Sequence, residues 1–239
     1  MATMLDRSTI LIPVDVADPD TPPAALVELL QPHQLVILSY YRVPDQTPIE
    51  QAEEELGDEA RETVEEVVSQ FEGDTDVTST VVFTRGRSTT LDRVVREYDA
   101  DAVLTPGDMG ESLNDVLVPL KGDPNIVHIV EFTGLLLGNS DAAVTVFHVA
   151  DSDEDEARSE FLLRGACDRL REFGIEADRV GWKQVRSGSP GNAIVSEAED
   201  YDLLVVGESE PSLRRRILGT VTRSVNDRTS SPTLVVRSK

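Results

Sequence analysis

Apolar residues in this chain fall into two arrangements that alternate along it. One is a short unbroken run, such as Ile10-Leu11-Ile12-Pro13-Val14, suited to a strand buried on both faces. The other is a spacing of three or four, which puts the apolar side chains on one face of a helix. The same sequence of elements is met twice. Ile10–Asp15 is echoed by Val116–Lys121, and each is followed by a proline-marked loop, Asp18-Pro19 or Asp123-Pro124. A helical spacing comes next, through Ala25, Leu26, Leu29 and Leu30 in the first copy and Ile126, Ile129, Val130, Thr133 and Leu137 in the second. Second strands follow at Leu35–Tyr40 and Ala143–Val149.

The echo continues with a long amphipathic helix in each copy, over 49–71 and 154–173. Its expected core positions are Val64, Val67, Val68 and Phe71 in one and Leu162, Cys167, Leu170 and Phe173 in the other. A third strand ends at Gly86 or Gly188. A shorter helix (Leu91, Val94, Val95; Ala193, Ile194, Ala198) then leads to a strand at Asp101–Gly107 or Asp202–Gly207. Only the second copy goes on, to a helix at about 217–229 and a final strand at Thr233–Arg237. Strands alternating with such helices form βαβ units with right-handed crossovers and parallel strands. The expectation is an α/β chain of two repeated doubly wound parallel-sheet domains: a first, 1–112, truncated to four strands, and a second, 113–239, complete with five. Because an unpaired sheet edge must be covered, the two are expected to form an intramolecular pseudo-dimer, with the last strand helping to close the first domain's open edge. Association of two chains is left open.

Charge narrows the function. The 239 residues carry 45 acidic and 22 basic side chains, a net charge of −23. Nucleic-acid partners are disfavoured, since phosphate contacts need clustered positive charge, and so are anionic membrane surfaces. The lysines are Lys121, Lys183 and Lys239 only. Such a balance suits a cytosol of very high salt, where a Debye length of about 3 Å screens self-repulsion; an ordinary acidic protein is the alternative. The single Cys167 rules out an internal disulfide. The N-terminus, MATMLDRSTILIPV, lacks the apolar core of a signal peptide, and no stretch offers about 18 consecutive apolar residues, so a cytoplasmic protein is expected.

Catalytic chemistry finds little footing. Of His33, His128 and His148, only His148 ends a strand near the presumed ligand face. The run Asp151–Glu156 lacks the glycine and twelfth-position glutamate of a calcium loop, and reads as a solvated helix entry. Glu53-Glu54-Glu55 reads as an exposed helical face. Neither an enzyme nor a metal site is expected.

Several signatures occur in order in the second copy: Val118-Pro119, Gly188-Ser189-Pro190, Asp202–Gly207, Gly219-Thr220 and Ser231–Val236. Together they resemble the universal stress protein family, in its tandem-domain members, over nearly the whole chain. The resemblance implies a five-stranded parallel, adenine nucleotide alpha hydrolase-like fold and a binder or regulator. In nucleotide-binding members a loop Gly-x-x-Gly, nine residues, then Gly-Ser or Gly-Thr holds ATP phosphates on backbone N–H groups at a helix start. Here Gly207 fits the first glycine and Gly219-Thr220 the closing pair, but Glu210 replaces the middle glycine and the gap is one residue short. The Asp that contacts adenine in such members is Lys121 in this copy. The first copy keeps it as Asp15, along with Gly107-Asp108-Met109-Gly110, but lacks the last helix.

The resemblance thus points to Pro119, Leu120, Lys121, Gly188, Ser189, Gly207, Ser209, Arg214, Gly219, Thr220 and Val221 as a candidate site for ATP with magnesium or another adenine nucleotide. Arg214-Arg215-Arg216 lies inside the loop. It reads either as a rebuilt anion site, guanidinium groups replacing backbone donors, or as a surface cluster paired with Glu208 and Glu210. With its Gly-Glu-Ser-Glu-Pro-Ser loop the chain also resembles the tandem domains attached to the cytoplasmic end of membrane transporters in salt-adapted archaea. That resemblance implies the alternative of a soluble regulatory module that partners a transporter or another protein and binds no nucleotide.

Overall fold

A computed structural model describes residues 7–19, 22–71, 75–121, 125–208 and 231–237. The chain divides into two compact units, 1–106 and 107–239. Each is a parallel sheet with helices between its strands, the α/β repeat expected from the pattern.

In the first unit, β1 (Thr9–Asp15), β2 (Gln34–Arg42), β3 (Asp76–Thr84) and β4 (Ala102–Thr105) lie in the order β3-β2-β1-β4, all parallel. The helices are α1 (Ala24–Leu30), α2 (Ile49–Ser69) and α3 (Arg87–Glu97). The run that opens β1 is buried from Ile10 to Val14, as a strand covered on both faces requires. Phe83 and Val81 pack under Ala52, Ala60, Ile49 and Leu56 of α2. On the opposite face, the Thr90 hydroxyl of α3 bonds that of Thr84 at 2.8 Å. The described strands of the first unit number four and follow one another in the same parallel order as the first four of the second.

The second unit contains β5 (Asp115–Pro119), β6 (Ala143–Ala150), β7 (Val180–Arg186), β8 (Leu203–Gly207) and β9 (Thr233–Val236), in the order β9-β8-β5-β6-β7 and again parallel. Its helices are α4 (Ile126–Leu137), α5 (Asp153–Glu172) and α6 (Pro190–Ala198). Leu117, Phe147 and Leu204 pack against Ala198 and Ile194 of α6. The expected helix at 217–229 lies outside the described residues.

The face α5 buries is shifted from the sequence expectation. Ser159, Leu163, Ala166, Cys167 and Leu170 are buried, whereas Leu162 and Phe173 are only partly so. The helix starts at Ser152, whose hydroxyl accepts the Asp155 N–H as N-cap. From there, steps of three and four lead to Leu163; Leu162 sits on the flank of that stripe. In α2, Val68 is likewise half-buried beside buried Val64, Val67 and Phe71.

The two copies share one device at the amino ends of their strands. The Asp101 carboxylate accepts the Thr9 N–H at 2.8 Å, and Asp101 N–H donates to the Thr9 carbonyl at 2.8 Å. In the second unit, Asp202 accepts the N–H groups of Asn114 (2.8 Å) and Asp115 (3.0 Å) and donates to the Asp115 carbonyl at 2.9 Å. Each aspartate fastens the entrance of its own strand to that of the first strand in its copy.

Candidate functional site

In the second unit the strand order reverses at β5. The chain leaves β5 through α4 toward β6 on one side, while β8 lies on the other. Crevices at the carboxyl ends of strands flanking such a switch are where open α/β sheets bind ligands. The exits of β5 and β8 place Pro119, Leu120 and Lys121 beside Gly207 and Glu208, since Leu117 pairs with Leu204 in register.

Leu120 is held from two directions. Its N–H donates to the Phe147 carbonyl at 2.7 Å, and its carbonyl accepts from His148 Nδ1 at 2.7 Å. Its side chain is buried, and Lys121 follows it into solvent. His148 is itself buried, its Nε2 lying 3.2 Å from Asp155 Oδ2 at the start of α5. A carbonyl can only accept, so Nδ1 carries a proton. The hydrogen bond to His148, seconded by the Asp151 N–H, holds the Asp155 carboxyl below its usual range. The one histidine expected near the ligand face is therefore a fastener between the β5 exit and α5.

Gly207 has a packing reason of its own. A Cβ built there would run into the Ile129 side chain of α4, which lies over the end of β8. The Asn125 amide at the start of α4 donates to the Glu208 carbonyl at 3.3 Å, and Glu208 N–H donates to the Val236 carbonyl at 2.7 Å. Glu208 is 8% exposed, so a carboxylate occupies this strand exit in addition to Glu210 in the sequence.

Gly188 and Ser189 lie at the exit of β7, where α6 begins with Pro190. Ser189 N–H donates to the Ser187 hydroxyl at 3.1 Å, and the Ser189 side chain makes no capping bond to α6. Ser209, Arg214, Gly219, Thr220 and Val221, with Glu210, Arg215 and Arg216, lie outside the described residues. What the structure brings together is thus the β5 exit, the β8 exit and the start of α4.

In the first unit, Asp15 ends β1 and accepts the Ala17 N–H at 3.1 Å. Tyr40 is buried beside it on β2, its hydroxyl pushed up to about 12, mainly by burial and further by Asp15. The Arg87 guanidinium at the start of α3 lies 5.1 Å from the centre of the Tyr40 ring. Sequence reasoning found Asp15 but missed Tyr40 and Arg87, whose proximity depends on neighbouring strand exits rather than on spacing.

The model of the universal stress protein family matches residues 113–237. A search of curated proteins finds no match. Among solved structures, a universal stress protein from Archaeoglobus fulgidus is 16% identical and covers 98% of this chain and 98% of its own, with a TM-score of 0.67. A putative universal stress protein from Pseudomonas aeruginosa is also 16% identical, over 97% of this chain and 93% of its own, with a TM-score of 0.54. A universal stress protein solved in complex with cAMP is 26% identical, covering 53% of this chain and 98% of its own, with a TM-score of 0.44.

Proposed function

The chain belongs to the universal stress protein family, and on that premise we propose that it is a non-catalytic regulatory or stress-response protein whose second unit takes an adenine nucleotide. The observation that carries this reading is the meeting of Pro119–Lys121 and Gly207 at the exits of adjacent strands at the switch point. The residues present fit an anionic ligand in part. Lys121 supplies an exposed cation where family binders carry a carboxylate, and the α6 start at Ser189 is left without a side-chain cap. Recognition would therefore lean on the phosphates, with Lys121, Ser189 and the 207–221 loop as the holding groups. A nucleotide, with or without magnesium, would act here as a signal and not as a reactant.

Lys121 also favours a second reading, as does the buried carboxylate of Glu208 at the neighbouring exit. In it the chain is a soluble regulatory module, related to those attached to membrane transporters, that binds a protein and no nucleotide. No helix among the described residues is long and apolar enough to cross a membrane. We place the protein in the cytoplasm of a salt-adapted cell under either reading.

Calorimetric titration of ATP with magnesium, in molar potassium chloride, separates the two. Saturable one-site binding that is lost in Gly219→Trp supports the nucleotide sensor. No heat and no thermal stabilisation of a demonstrably folded protein rejects it.

A further inference from the structure

Strands β3 and β7, each at an edge of its own unit's sheet, are treated differently. On β7, Arg186 pairs with Asp153 and Lys183 with Glu197, while Gln184 bonds the Ser159 hydroxyl at 2.6 Å and Arg164 lies over the Trp182 ring. Charged side chains tied to both flanking helices guard an edge against further pairing. Beyond Asp76, strand β3 carries no such guard of its own: from Val77 to Thr84 it has no charge, no proline and no glycine. No strand among the described residues pairs with its outer side.

A cleft of about 440 Å³ follows this edge. It is lined by Thr80 and Val82 of β3, by Glu53 of α2 on one side, and by Arg93, Glu97 and the adjoining Tyr98 on the other. The position of Glu53 is informative. Helical periodicity sets it on the same face as Leu56, Gly57 and Ala60, which turn toward the sheet, yet Glu53 is exposed. At that point α2 overhangs the edge of β3 and holds a carboxylate over the place of a next strand. The whole helix carries nine carboxylates and one arginine. The α3 side is mixed, with Arg93 and Glu97 both lining the cleft.

We propose that the β3 edge takes up an extended segment of a partner protein, which pairs as an added strand and presents lysine or arginine side chains to α2. Main-chain bonds along an open edge give affinity, and alternate side chains give specificity. The Thr84 carbonyl accepts from Val43 N–H on the inner side. Alternation along an extended strand then turns the N–H and C=O groups of Ser79, Val81 and Phe83 outward. A second copy of this chain is a poor occupant, because two-fold pairing would lay one acidic α2 beside another.

The test uses the full chain, in the lowest potassium chloride concentration that preserves its thermal transition. The probe is a blocked peptide, Thr-Lys-Val-Lys-Val-Lys-Thr, with a control carrying Glu for Lys. The lysine peptide should slow amide exchange at Ser79, Val81 and Phe83 at least tenfold, and the glutamate peptide should not. Ser79→Pro, which removes an outward N–H while leaving the β2 side intact, should abolish the protection without changing the far-ultraviolet spectrum. Glu53→Lys should weaken the lysine peptide about fivefold and allow the glutamate peptide to bind. Equal protection by both peptides, protection elsewhere only, or none, overturns the proposal. So does peptide-independent protection that grows with protein concentration, which would mark the edge as a contact between copies.

Discussion

Acidification should destabilise this protein through His33 between about pH 6.5 and 4, a window in which the many carboxylates begin to titrate as well. His33 is 4% exposed, its Nδ1 lies 3.5 Å from the Ser8 nitrogen, and its Nε2 meets no hydrogen-bond partner among the described residues. Burial, and next to it the charge of Arg7, lower its pKa to about 4 against an ordinary 6.5, with Asp101 pulling weakly the other way. The folded value lies below the unfolded one, so the unfolded chain takes up the proton first as pH falls. The stability tied to neutral His33 is complete above pH 6.5, declines through the interval, and is gone below pH 4. A gap of roughly 2.5 pH units corresponds to about 3 kcal/mol, a large share of the 5–15 kcal/mol, roughly, of a typical native protein. Urea unfolding in molar potassium chloride, at steps from pH 7.5 to 4, should show the wild type losing most of that amount relative to His33→Gln. The carboxylates titrate in both proteins and cancel in the difference. Parallel losses in the two proteins would refute the reasoning and place the proton elsewhere.

Four further substitutions probe the second unit. Gly207→Ala should lower stability by about 1–3 kcal/mol through overpacking, and Ile129→Val, by removing the methyl in the way, should recover part of that loss in the double variant; additive losses would show that the glycine serves something other than packing. Asp202→Ala removes two hydrogen bonds at the exposed β5 entrance and should cost about 0.5–1.5 kcal/mol in urea unfolding, which an unchanged midpoint would exclude. His148→Ala releases the Leu120 carbonyl and Asp155 together, and amide exchange at Asp151 and in the first turn of α5 should accelerate. If exchange there is unchanged, the fastener does not hold that turn.

The elements were legible in the sequence because unbroken apolar runs and three-or-four spacings map directly onto covered strands and one-sided helices. The order of the elements carried the repeat, and with it the topology. What the sequence reading missed was the azimuth of α5: Leu162 and Leu163 are equally apolar, and the buried stripe runs through Leu163 because Ser159, Ala166 and Cys167 lie three or four residues from it. The site was legible only in outline. Pro119–Lys121 and Gly207 do converge, because strand exits are placed by topology alone. The meaning of single residues was not: Gly207 reads as a phosphate contact until Ile129 is seen over it, and His148 reads as a ligand group until both its nitrogens are found engaged. Such facts arise from residues far apart in the chain, which spacing does not record.

The aspartate fastening at the strand entrances sets a boundary on what can vary. Asp101 and Asp202 hold equivalent places in the two units and make equivalent bonds, while the opposite ends have parted ways, Asp15 beside Tyr40 and Arg87 in one and Lys121 beside Glu208 in the other. The two units therefore share one frame at their strand entrances and differ at their strand exits. A graft of the Asp15 surroundings onto the second unit should be tolerated as a fold, because the joints that keep each frame square lie a full strand length from where the change is made.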